Sequence, residues 1–260
     1  YDKDVGLYNQ VYFAGAQFSD YAGVLCRPEA EDDALRAFAT HIKRKLSWAE
    51  FSLDRLMMSE RRRRILLGSF DKAKFRFKPL TYIDAYDATI DHAVSPRADL
   101  PESWDGYVAK LSSNNRQKIR RLLKKVEGSQ RYRISLLEGE DQLGGIDVLL
   151  EQWRAKWAPL KGDKTAGEII DRNREMLRRC SRNGSLLFPV FWDGDRQVAA
   201  LATLIDPAKR SLHFFITGRD ESFTDLPAGY LLHAYSIRHA IEQGFTAYDF
   251  LIGNEPYKYH

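Results

Sequence analysis

The residues able to do chemistry gather toward the carboxyl end. His213 lies in the apolar segment 211–218 (SLHFFITG), Asp249 stands between Tyr248 and Phe250, and Tyr257-Lys258 follow Gly253 and Pro256. An imidazole can deprotonate an ammonium nucleophile near neutral pH. A buried carboxylate is costly unless paired, so Asp249 calls for a partner. A lysine such as Lys258 can stabilise the oxyanion of a tetrahedral intermediate or hold a phosphate, and a tyrosine such as Tyr257 can hand a proton to a leaving group. Upstream, Pro227-Ala228-Gly229 opens an apolar helical pattern. Proline has no N–H, so Ala228, Gly229, Tyr230 and Leu231 are the donors that could meet a pyrophosphate at the positive end of that helix. Gly229 would let the backbone come close to a ligand, and Arg219 could pair with a phosphate. Plainer readings stand beside these: a half-buried His213, an Asp249 that caps a loop, a surface Arg219 and an ordinary proline-started helix.

Positioning these groups takes a strand at 211–218, a polar loop 219–226, a helix stopped by Gly244, and a strand at 248–252. That order is the crossover unit of a largely parallel sheet, and ligands favour the carboxyl ends of its strands. Strict alternation puts Leu212, Phe214 and Ile216 on one face of the first strand and His213, Phe215 and Thr217 on the other. Strands at 186–192 and 197–205 precede it in an antiparallel meander, with turns at Asp193-Gly194 and Asp206-Pro207. Earlier come a helix over 104–127 capped by Ser103, a strand 132–137, and helices over 142–157 and 167–183. The first part of the chain reads as a strand at 11–14, a helix over 31–46, a strand at 49–53, a charged helix or loop through Arg64, and strands at 74–77 and 80–83. Segment 91–102, with Pro96 and Pro101, reads as a polar linker and domain boundary.

Composition narrows the classes. Hydrophobic residues make up 44% of the chain, enough for a buried core. No window approaches the apolar length that spans a bilayer, and the first residues are no signal peptide. The chain begins at Tyr1 and stops in mid-pattern, which reads as a fragment of a longer protein. Cys26 and Cys180, without a CxxC motif, argue against a disulfide scaffold or a metal site and point to a reducing cytoplasm. Net charge is +4, but Arg61–Arg64 is an unbroken basic run and 116–125 holds six basic residues. Such runs meet phosphates, membrane surfaces or RNA, or more often form solvated helix faces. Ser-His-Asp order, a Cys-His dyad and HExxH are absent, which disfavours covalent and metal chemistry.

The order helix, strand, two helices, three-stranded meander, helix, strand resembles the GNAT superfamily of N-acyltransferases. The closer likeness is to its CelD/BcsL-like branch, the cellulose-biosynthesis-type acetyltransferases related to the Fem aminoacyltransferases. It is carried by SSNNRQKIRRLLKKVEG, FWDGDRQVAALATL, HFFITGRDESFTDLPAGYLL and YDFLIGNEPYK, with AGAQFSDYAGVL near the start. The resemblance implies an α/β (α+β) fold with a mixed sheet, built as two GNAT-like domains in tandem. Residues 1–95 would be a partial domain on the acceptor side, with Asp20 and Tyr21 of its Ser-Asp-Tyr block binding the amine; helix capping by Asp20 is the competing reading. Residues 103–260 would be the more complete domain, binding acyl-CoA or acetyl-CoA as co-substrate. Strand 211–218 would hydrogen-bond the pantetheine arm, Phe215 would line the acyl pocket, and Tyr257 or Lys258 would assist as charge develops. The wider superfamily's phosphate loop, Gln/Arg-x-x-Gly-x-Gly/Ala, is absent; only Pro-Ala-Gly stands there. The implied reaction is direct attack of an amine (amino sugar, lipid or sphingoid amine, or peptide) on a thioester. The alternatives are a Fem-type ligase using aminoacyl-tRNA on a cell-wall precursor, and a non-catalytic module in envelope-polymer assembly. The implied setting is the cytoplasm, with the inner face of the membrane and a peripheral membrane contact left open.

Overall fold

The chain divides at Ile83/Asp84 into two units, each with its own core. The computed structural model describes residues 9–15 and 19–259, so residues 16–18 of the AGAQFSDYAGVL block and His260 fall outside it. Among the described residues no helix is long and apolar enough to cross a membrane.

In the first unit β1 (Gln10–Tyr12) pairs in parallel with β2 (Glu50–Ser52), and two helices, α1 (Glu31–Lys45) and α2 (Glu60–Gly68), complete it. Leu35, Ala39 and Ile42 of α1 meet Leu66 and Phe70, the apolar spacing expected of an amphipathic helix. Acidic Glu31, Asp32 and Asp33 open α1 and Lys43, Arg44 and Lys45 close it, matching the helix dipole. The strands expected at 74–77 and 80–83 do not form. Lys74 and Phe75 instead donate to the Asp71 carbonyl in a turn, and Phe75 joins the core singly, stacked on Trp48 at 5.7 Å.

The second unit is built on a seven-stranded mixed sheet, order β3-β9-β8-β7-β6-β4, with β5 paired to β7. Its elements are β3 (Arg97–Asp99), α3 (Trp104–Lys110), α4 (Ser113–Glu127), β4 (Tyr132–Leu136), α5 (Gly139–Lys161), α6 (Asp163–Arg182), β5 (Leu186–Leu187), β6 (Pro189–Asp193), β7 (Arg196–Asp206), β8 (Ser211–Arg219), α7 (Ala228–Glu242) and β9 (Ala247–Asp249). Helices α3, α4 and α7 cover one face and α5 and α6 the other, so β7 is buried on both sides: Leu201 faces the first core, Ala200 and Ala202 the second. Only β8 and β9 are parallel; every other pair is antiparallel, so the sheet is not the largely parallel one expected.

Three further expectations change. Segment 91–102 is no linker: it supplies β3, with Phe250 donating to Pro96 O at 2.9 Å and Gly253 to Val94 O at 2.7 Å. An edge strand tolerates proline on its outer side, so Pro96 does not break the pairing. The helix over 104–127 breaks at Leu111, because the Ser112 side chain accepts from Asn115 N–H and starts α4 afresh. Finally, β8 carries a bulge: Ala202 pairs with Ile216 and Thr203 with Phe214, leaving Phe215 unpaired. The bulge turns Ile216 to the α5 side, opposite Phe214, so the simple alternation fails there.

Candidate active site

Strands β8 and β9 share three pairs, ending at His213↔Asp249. Past that point β8 runs on to Arg219, while the chain after Asp249 turns off through Leu251, at φ 56°, and follows the 94–96 segment. Among the described residues, the β9-side edge of β8 beyond His213 therefore has no strand beside it. Unsatisfied backbone donors and acceptors along such an edge suit an extended ligand that carries amides of its own. Gly218 lets α5 press against the same strand: a Cβ there would overlap the Leu149 carbonyl.

The last register pair brings two of the expected groups together. His213 Nδ1 lies 3.7 Å from Asp249 Oδ2, and its Nε2 meets the Ser211 hydroxyl at 2.9 Å. Asp249 is buried, and its Oδ1 also accepts the Leu251 N–H at 2.7 Å, holding the left-handed backbone at the point of divergence. Burial pushes the His213 imidazole below its ordinary value, against the opposing pull of the Asp249 carboxylate.

The start of α7 is fixed by its loop. Asp220 pairs with Arg196 at 2.8 Å, Phe223 packs on Tyr132 and Phe191, and Asp225 accepts from the Tyr132 hydroxyl at 2.7 Å. Of the four expected donors, Ala228 N–H is taken by Leu226 O and Leu231 N–H by Pro227 O. The N–H groups of Gly229 and Tyr230 have no acceptor among the described residues, and nothing lies within 4 Å of where a Gly229 side chain would begin. Leu231 itself is core. Arg219 is held by Glu221 through two bonds of 2.9 and 2.6 Å, so it stands as a paired surface arginine rather than a free phosphate ligand.

Lys258 is buried; its ammonium donates to Ile252 O at 2.6 Å and Gly253 O at 3.1 Å and forms an ion pair with the Glu255 carboxylate at 2.8 Å. Two of its three donors are thus taken by carbonyls of the loop after β9, and its charge is met by Glu255. That geometry makes it a clamp on the loop. Tyr257 next to it is 47% exposed as a residue, yet burial around its phenol and the Glu255 charge raise its pKa, keeping it protonated at neutral pH. Its ring lies 6.0 Å from that of His233.

Phe215, expected in an acyl pocket, packs instead against the α5–α6 core. Asp20 and Tyr21 lie in the first unit, where Asp20 meets Arg55 at 3.3 Å. Among the described residues no group of three or more His, Cys, Asp and Glu is placed to hold a metal ion. His233 and Tyr248 were not singled out as functional, yet they pack beside strands β8 and β9: His233 Nδ1 meets the Tyr248 hydroxyl at 3.0 Å, and the imidazole ring lies 4.6 Å from that of Phe214 and 5.3 Å from that of Phe250. Burial, with Lys258 adding, drives the His233 pKa down to about 3, so it stays neutral. The signal available in the sequence was its place on the second turn of α7, one turn past Gly229.

No curated protein matches the chain. Among solved structures, L-PGS from Bacillus licheniformis shares the fold at TM-score 0.50 and 10% identity, over 87% of this chain and 59% of that one. The C-terminal DUF2156 domain assigned to a lysylphosphatidylglycerol synthetase of Agrobacterium fabrum matches at TM-score 0.40 and 10% identity, over 61% of this chain and 45% of that one. The PaiA N-acetyltransferase of Thermoplasma acidophilum, solved with coenzyme A, matches at TM-score 0.37 and 16% identity, over 44% of this chain and 74% of that one. The chain thus spans about half the length of the first and second of these. Residues 113–259, more than half of the sequence, match the family model of the acetyltransferase (GNAT) domain, and the chain belongs to that family.

Proposed function

We propose that the protein transfers an acyl group from a CoA thioester to an amine by direct attack, without a covalent enzyme intermediate. The observation that carries this reading is the free edge of β8 past His213 together with the unclaimed N–H groups of Gly229 and Tyr230. The strand edge suits the amides of a pantetheine arm and the helix start suits its pyrophosphate. The incoming ammonium loses a proton to His213 at Nε2, the nitrogen that meets Ser211, while Asp249 holds the imidazolium that results. The amine nitrogen then bonds to the thioester carbon, the carbon–sulfur bond breaks, Tyr257 protonates the departing thiolate, and the surplus proton of the new amide nitrogen returns the tyrosinate to its neutral form. Lys258 acts as a positioning residue that fixes the loop bearing Tyr257. Proximity and electrostatic stabilisation supply the rate. The first unit, with Asp20 and Tyr21, is assigned to the acceptor, whose class stays open among amino sugars, lipid amines and peptides; a cytoplasmic setting belongs to the same reading.

Calorimetry against CoA, acetyl-CoA and long-chain acyl-CoAs tests the proposal. Saturable binding to the wild type, abolished in Gly229→Trp, is the expected result. Silence toward every CoA with salt-sensitive tRNA binding would replace it with the Fem-type reaction. Silence toward both would leave a non-catalytic module.

A further inference from the structure

The two basic runs of the sequence have opposite fates. Arg61 pairs with Glu31 at 2.9 Å and with Asp32, Arg62 with Glu31 at 3.2 Å, Arg63 with Glu60, and Arg64 with Glu60 at 3.6 Å. Three carboxylates of its own unit, Glu31, Asp32 and Glu60, thus offset most of that run's charge. On α4, by contrast, Arg116, Lys118, Arg120, Arg121, Lys124 and Lys125 form no ion pair among the described residues; Lys118 lies over the Tyr230 ring at 4.6 Å. The one acid on α4, Glu127, is already taken by Arg238 at 2.8 Å. Ile119, Leu122, Leu123 and Val126 are buried, and from Lys118 onward every exposed residue of the helix except Glu127 is basic. With Lys+Arg 40 against Asp+Glu 36, removing these six leaves the rest of the chain net acidic. The positive charge is therefore concentrated on one helix of a molecule that is elsewhere weakly negative, a distribution that orients a protein on an anionic surface.

We infer that α4 is an electrostatic docking face for anionic phospholipid headgroups. The helix has no aromatic residue between Ser113 and Glu127 on which a base could stack, which separates it from the platforms that bind single-stranded nucleic acid. Its apolar stripe is committed to the core, so attachment is by charge without insertion, as for polybasic segments at lipid surfaces. On α3, just ahead of it, Trp104 and Tyr107 stack at 5.6 Å and are only partly buried, residue types that settle at a lipid–water boundary.

Co-sedimentation with phosphatidylcholine vesicles, with and without phosphatidylglycerol, tests this on the full chain. Binding should require phosphatidylglycerol and weaken as salt rises. Arg120→Gln/Arg121→Gln should lower the partition coefficient by roughly thirtyfold, whereas Arg63→Gln/Arg64→Gln, with the same change of net charge, should leave it within about twofold. Equal binding to neutral vesicles, or equal loss in both variants, would overturn the inference. So would tight binding of tRNA by a protein indifferent to vesicles, which would make α4 a nucleic-acid surface. CoA binding, measured on the same variants, should be unchanged, so failure here is distinguishable from failure of the acyltransfer reading.

Discussion

At the scale of single residues, His213 and Asp249 are brought together by strand register. Their strands pair for the last time at that level, so the imidazole and carboxylate share a face where a ligand could enter. Burial lowers the His213 pKa and Asp249 raises it. In the proposed mechanism the neutral imidazole is the base, so Asp249→Asn should move the acid limb of the kcat/KM profile to lower pH while reducing kcat. His213→Gln should cut kcat by about a hundredfold with the Kd for CoA little changed. A pH profile that does not move in Asp249→Asn would separate the two residues. Lys258 makes a sharper case. With its ammonium on two carbonyls and Glu255, Lys258→Met leaves the half-buried carboxylate without its counter-charge, and urea unfolding should show a loss of about 3 kcal/mol. A variant that stays stable but loses kcat would restore the lysine to the oxyanion.

At the scale of elements, two glycines with the same letter in the sequence have opposite environments. Gly218 faces the main chain of α5, and Gly229 faces open space. Gly218→Ala should cost at least about 2 kcal/mol, since the clash is with backbone rather than a movable side chain. Gly229→Ala should leave stability unchanged or slightly higher, alanine being the better helix former, while weakening CoA binding several-fold if a phosphate sits against that turn. Thermal melts and calorimetry on the pair read both effects. Such contrasts mark the limit of what was legible in the sequence. Helix α7, the Asp193-Gly194 hairpin and the apolar stripes of α1 and α4 follow from local period and turn chemistry, and they emerge close to where the pattern puts them. The bulge at Phe215, the engagement of Arg219 by Glu221 and the clamp made by Lys258 depend on which backbone comes near, information that no local pattern carries. The same holds for 91–102, whose polar, proline-containing sequence is as compatible with an edge strand as with a linker.

At the scale of the whole molecule, the histidines of the second unit tie stability to pH. His213, His233 and His239 all have pKa values lowered chiefly by burial, His233 to about 3. A lowered folded value means that the unfolded chain binds protons the native one refuses. Stability from these groups is complete above the unfolded value of about 6.5 and falls as pH drops toward the folded values. His233 alone should contribute a slope of up to about 1.4 kcal/mol per pH unit between those limits. His233→Gln keeps a polar partner for the Tyr248 hydroxyl but cannot take up a proton. Urea midpoints at a series of pH values from neutral to mildly acidic should therefore fall less steeply in His233→Gln than in the wild type, and the two curves should run parallel at neutral pH and above. Equal slopes below neutrality would mean that His233 reaches water in the native state.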